Sequence, residues 1–191
     1  MFDITTSHDF YTMLVEDFDD YMAEPHSTRR ALHCVIAAYH LREWVWRDWL
    51  EKDLEIQKEL GVRDKEAFDS WVNRKCVWFQ NIRDLANGTK HFLPDQGFET
   101  MRVLAAPFAF DQLEAGFDQG TFDHPIPYVD SPQTSELGTK GYLLIGYGQG
   151  AGEHRWQTAA SLLEVVVRFW RDFFNEYRPL PNLPVSRYHV D

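Results

Sequence analysis

Ile82-Arg83-Asp84-Leu85-Ala86-Asn87-Gly88-Thr89-Lys90-His91-Phe92 is the stretch on which the reading of this chain turns. It closes a long helical region and opens a proline-rich one. Asn87-Gly88 is a good terminating pair, and Pro94 is the firm limit. If the helix runs on through His91, then Arg83, Asn87 and His91 stand at i, i+4 and i+8. They then form one polar stripe on an otherwise aromatic and apolar helix. Arginine can hold a phosphate, histidine can move a proton near neutral pH, and Asn87 could orient either one. These three are the candidate catalytic residues, and Lys90 is a candidate binding residue beside them. Such a set could cleave RNA with the substrate's own 2′-hydroxyl as nucleophile, using no metal and no cofactor. The competing reading is structural: a polar stripe at a helix end can bond the last carbonyls, a β-insert or a neighbouring helix.

Upstream of this stretch the apolar spacing is helical. Phe10, Leu14, Phe18 and Met22 recur every four residues, which predicts a helix over about 7–23 with Ser7 as cap and Pro25 as stop. Ala31, Val35, Ala38, Leu41, Val45 and Trp49 predict a second helix over about 27–60, capped by Ser27 or Thr28 and stopped by Gly61. Asp64 caps a third helix over about 64–87, with Phe68, Trp71 or Val72, Phe79, Ile82 and Leu85 as its inner face. Downstream, 99–106 and 141–147 read as strands, and 153–156 as a short third strand that could pair back. The segment 111–139 between them reads as a long loop. The last helix is expected over about 157–178, with Leu162, Val165 or Val166, Phe169, Phe173 and Tyr177 inward and Glu164–Arg168 as an outer i, i+4 pair. Pro179, Pro181 and Pro184 then predict an extended tail over 179–191.

A chain of 191 residues is long enough for one well-buried core and short for two. Its 7 Trp, 8 Tyr and 14 Phe call for a core built of large rings, within one chain or between two. Trp46 falls off the main stripe of the second helix and argues for a homodimer. The net charge of −11 disfavours nonspecific binding to nucleic acid or to an anionic membrane. Residues 1–28 carry seven acids and no Lys or Arg, which does not fit a secretory signal. No window approaches the roughly 18 uninterrupted apolar residues of a membrane span. Cys34 and Cys76 sit among apolar neighbours and read as small buried hydrophobes in a reducing cytoplasm.

The remaining constellations are weaker. His33 and His40 share a face about two turns apart, roughly 10 Å, so one metal cannot bind both directly. They are candidate binding residues, with burial and bonding inside the bundle as the simpler reading. Asp123-His124 and Glu153-His154 are adjacent in sequence, a spacing that does not preform a ligand pair, and with Asp130 they could make a metal site only by folding together. Gly146 to Gly152 lacks both the Lys-Ser/Thr and the GxGxxG spacing of a phosphate loop. No metal site is expected.

A helical bundle with Arg-Asp in its third helix and a histidine shortly after resembles the HEPN superfamily. The resemblance rests on Arg83 and Asp84 as the Arg-polar pair, on His91, and on the order of the helices. It implies a site formed across a dimer that often cuts RNA, with Arg83 on phosphate and His91 as acid-base. The expected fold is therefore mainly α: an up-down four-helix bundle, residues 1–191 as a single HEPN-like domain, with a small antiparallel β-hairpin insert at about 98–156 between the third and fourth long helices. Two functions remain open. One is a non-enzymatic interaction or regulatory protein with a protein partner. The other is a metal-independent ribonuclease of the toxin or phage-defence kind, with RNA as substrate.

Overall fold

The computed structural model describes residues 3–88, 99–104, 141–147, 155–179 and 182–188. Among them the chain is mainly α: α1 (Ser7–Ala23), α2 (Thr28–Asp48), a 3-10 turn (Leu50–Lys52), α3 (Leu54–Leu60), α4 (Lys65–Lys75), α5 (Phe79–Gly88) and α6 (Ala159–Tyr177). Strands β1 (Glu99–Leu104), β2 (Gly141–Tyr147) and β3 (Arg155–Thr158) form one antiparallel sheet in the order β1-β2-β3. Glu99 pairs with Gly146 and Leu104 with Gly141, while Leu144 pairs with Thr158. Leu143 and Ile145, two residues apart and so on one face of β2, are buried in the core. The Leu143 N–H donates to the Pro25 carbonyl at 3.0 Å and ties the sheet to the α1–α2 turn.

The helix starts follow cap chemistry. Thr6, not Ser7, caps α1. Its hydroxyl accepts from the Asp9 N–H at 3.1 Å, and the Asp9 carboxylate accepts from the Thr6 N–H at 2.9 Å, a reciprocal capping box. The Thr5 and Thr6 N–H groups and the Thr6 hydroxyl hold the Asp9 carboxyl down to about 2. Ser7 has a different task. Its N–H and hydroxyl donate to Asp48 at the end of α2, at 3.0 and 2.7 Å, and Arg178 at the end of α6 donates to the same carboxylate at 2.8 Å. Ser27 caps α2, Asp64 caps α4 and Thr158 caps α6.

Two expected long helices are broken. The second does not run to residue 60. It ends at Asp48, and the 3-10 turn places Trp49 and Leu50 together in the core. Asp53 then caps a separate α3 through the Ile56 N–H at 3.1 Å, and buried Gln57 donates to the Leu50 carbonyl at 2.8 Å. Gly61, at φ 68, ends α3. Its N–H reaches the Lys58 carbonyl and the Val62 N–H reaches the Gln57 carbonyl, the paired bonds of a Schellman end. The third helix breaks at Cys76–Trp78, which buries Cys76, leaves Val77 exposed and re-aims α5 so that Phe79, Ile82 and Ala86 face inward. Both thiols are sealed. Burial pushes Cys34 well up, and burial raises Cys76 to about 11 despite the N–H groups of Trp78 and Phe79.

Buried residues from every helix and from β2 form one continuous core. Its centre is aromatic. The Phe173 ring lies 5.6 Å from Trp71, 5.7 Å from Trp170, 5.9 Å from Phe68 and 6.0 Å from Trp49. Trp170 is fully buried and donates its indole N–H to the Ala38 carbonyl of α2 at 3.2 Å. On α6 the inward position is Val166, while Val165 is exposed. Trp46 does not project for a partner: it is buried and stacked on Phe68 at 6.0 Å, so that argument for a dimer falls away.

Phe173→Ala removes the ring that joins α6 to Trp49 and to Phe68 and Trp71 of α4. We expect a loss of about 3–5 kcal/mol of stability in urea unfolding; a loss below 1 kcal/mol would mean that the neighbouring rings close the gap.

Asp48 gives a pH prediction. Burial disfavours its charge, but the Ser7 and Arg178 bonds outweigh burial and hold the carboxyl below its ordinary value. A carboxyl lowered on folding contributes stability that is complete above the unfolded value of about 3.9 and is lost as pH falls through the folded value. The stability gap between wild type and Asp48→Asn should therefore be widest near neutral pH and close in acid. A gap that stays constant with pH would remove charge from the explanation.

Candidate functional site

The sequence-predicted residues are only partly brought together. Arg83 and Asn87 lie one turn apart on α5, and both are half-buried, on the flank of the face that carries Phe79, Ile82 and Ala86. The Arg83 Nε is 3.2 Å from the Asp84 carboxylate, with the two side chains 41% and 36% exposed. Gln80 donates to both oxygens of the same carboxylate at 2.9 Å. The guanidinium is thus within reach of water, but its charge is met by its own neighbour. Lys90 and His91 lie outside the described residues, as do Asp123, His124 and His154.

His33 and His40 do not form a pair inside the bundle. His33 is exposed and lies near Asp17, whose carboxyl is raised by burial and by Asp20 and Glu16 while the His33 charge works against the rise. His40 is half-buried, with its ring edge-on to Tyr39 at 5.1 Å. Residues seven apart on α2 share a side, but His33 is exposed where His40 is half-buried. Among the described residues, no three His, Cys, Asp or Glu converge on one point.

A polar network missed at the sequence level lies between α2 and α4. Arg42 pairs with Asp69 and donates to the Tyr39 hydroxyl at 2.6 Å, with the guanidinium over that ring at 4.3 Å. Lys65 reaches the same Asp69 carboxylate at 3.4 Å, and Asn73 donates to the Asp69 carbonyl at 3.0 Å. Arg42 Nε, Asp69 Oδ1 and Asn73 Oδ1 are buried and make no hydrogen bond within the protein. The only signal in the sequence is an arginine within an apolar stripe, and its partner lies on a helix whose placement cannot be read from spacing.

A groove of 520 Å³ lies at the corner where α2, α3 and α4 meet. Buried Trp46 and 74% exposed Leu54 give it an apolar strip. Arg47, Arg63 and Lys65 line it with positive charge and Glu51, Asp64 and Glu66 with negative charge, so it is locally neutral on a chain of net charge −11. Arg63 and Asp64 already pair at 3.3 Å on the rim. The groove exists because α2 breaks at Trp49. A continuous helix would carry residues 54–60 away from α4.

No family model matches this chain, and no curated protein or solved structure matches it. Among the described residues, no helix is long and apolar enough to cross a membrane.

Proposed function

We propose that this chain is a non-enzymatic interaction protein of the cytoplasm, an HEPN-like up-down bundle of four helical arms with a β-hairpin insert, and that it pairs with a second copy of itself. The observation that carries the reading is the groove beside Trp46 and Leu54. A chain of net charge −11 repels its own copies over most of its surface. At this corner three cations and three anions balance around an exposed leucine. Equal charges of both signs allow a two-fold arrangement in which each acid faces a base of the other copy, with apolar contact at the centre. We expect light scattering at high micromolar concentration to give twice the 22.5 kDa chain mass, and Leu54→Asp to return it to the single-chain mass with the fold intact. A wild-type chain that scatters as 22.5 kDa under those conditions overturns the self-pairing reading.

A second reading rests on Arg83 and Asn87, which share one water-accessible side of α5. In that reading the chain is a metal-independent ribonuclease of the toxin or phage-defence kind, with Arg83 on phosphate and His91 as acid-base. Exchange of Asp84 for a phosphate oxygen would free the guanidinium for that role. Cleavage of RNA in the presence of a chelator, lost in both Arg83→Ala and His91→Ala, would establish it. Absence of cleavage by the wild type, or cleavage that survives either change, leaves the interaction reading alone.

A further inference from the structure

After α6 the chain turns back, with Asn182 at φ 63, and residues 182–188 lie along the groove between α1 and α6. The contact is specific. Asp19 of α1, buried to 8% exposure, accepts from the Ser186 hydroxyl at 2.5 Å, from the Arg187 N–H at 3.1 Å and from the Arg187 Nε at 3.0 Å. Farther along, the Tyr11 hydroxyl donates to the Pro184 carbonyl at 3.3 Å. Burial keeps that phenol protonated, so it remains a donor. The segment fills its groove, leaving 10 Å³ of free space beneath Val185 and Ser186.

The hold is polar at its centre and open at its edges. Val185 is 56% and Tyr188 40% exposed, and the Arg187 side chain lies mostly in water. Little apolar surface anchors the segment beyond Leu183, so most of its attachment is the one carboxylate. Backbone carbonyl, hydroxyl and guanidinium are all read by fixed groups of α1, which is the pattern by which an extended peptide is recognised. The net charge of −11 favours the approach of a cationic segment.

We propose that the α1–α6 groove is a docking site for an extended peptide that carries a hydroxyl residue followed by arginine, and that residues 182–188 occupy it as a displaceable strap. The partner is another polypeptide with an exposed Ser-Arg or Thr-Arg segment behind a proline. Asp19 determines specificity for the hydroxyl-arginine pair, and Tyr11 sets the register. This site is separate from the groove at Trp46 and does not depend on how that groove is used.

The test uses the full chain and a labelled peptide of the sequence Asn-Leu-Pro-Val-Ser-Arg-Tyr, with anisotropy or amide NMR shifts as readout. A short tether holds the strap at an effective concentration on the order of millimolar. The peptide should therefore bind Arg187→Ala, and the Ser186→Ala/Arg187→Ala chain, at least tenfold more tightly than wild type. Arg187 is largely in water, so the single variant keeps the fold. Adding Asp19→Asn should weaken binding at least tenfold, and a peptide with its Ser and Arg both changed to Ala should not bind. Failure of the peptide to saturate a folded Arg187→Ala chain overturns the proposal. So does equal affinity for wild type and variant, or binding that ignores Asp19→Asn.

Discussion

Everything else in this fold depends on the packing of α6 into a clasp of aromatic rings supplied by α2, the 3-10 turn and α4. Phe173 touches Trp49, Phe68, Trp71 and Trp170 at once, and these come from three separate segments. Phe173 meets Trp71 and Trp170 edge-on and Trp49 and Phe68 at a tilt, and contacts of this kind constrain ring orientation as well as separation. Trp49 can enter this clasp only if α2 stops before residue 49, and that stop creates α3 and the groove beside it. The interior constraint thus shapes the outer surface: a ring needed inside gives a concavity outside.

The sequence made the mainly helical character legible, with the first and last helices placed within a residue or two at their ends. Gly61, Asp64 and the Glu164–Arg168 pair acted as their chemistry predicts, because caps, stops and i, i+4 pairs are local. The two breaks were not legible, for different reasons. Asp53 before α3 is a competent cap, but it stood in a run of charged residues that also suits an exposed helix. Cys76-Val77-Trp78 carries neither Pro nor Gly, and the break there follows from tertiary packing that places Cys76 and Phe79 inside together. Trp46 is covered for the same reason. A residue off one stripe can be covered by a helix that meets its own from the side.

The candidate site divides along similar lines. Arg83 and Asn87 share a side of α5, as helical spacing requires, but the Asp84 partner of Arg83 is a neighbour in sequence rather than a substrate phosphate. His33 and His40 have unequal burial, since face membership on a helix says nothing of how far the neighbouring helix extends over it. The Arg42–Asp69 network, the groove at Trp46 and the Asp19 strap all join segments distant in the chain. Each is a property of which helices meet, and no local pattern announces it.

Asp48 has a further meaning for how the molecule is assembled. Ser7 opens the first helix and Arg178 follows the last, yet both close on one carboxylate at the end of the second. The start of the first helix and the end of the last are therefore latched to the end of the second. A contact between segments so remote cannot seed folding, since the entropy of closing so long a loop must be met first by other contacts. A mechanical load applied to residues 3 and 188 would meet two carboxylates before the aromatic centre, Asp48 through Ser7 from one end and Asp19 through Ser186 and Arg187 from the other.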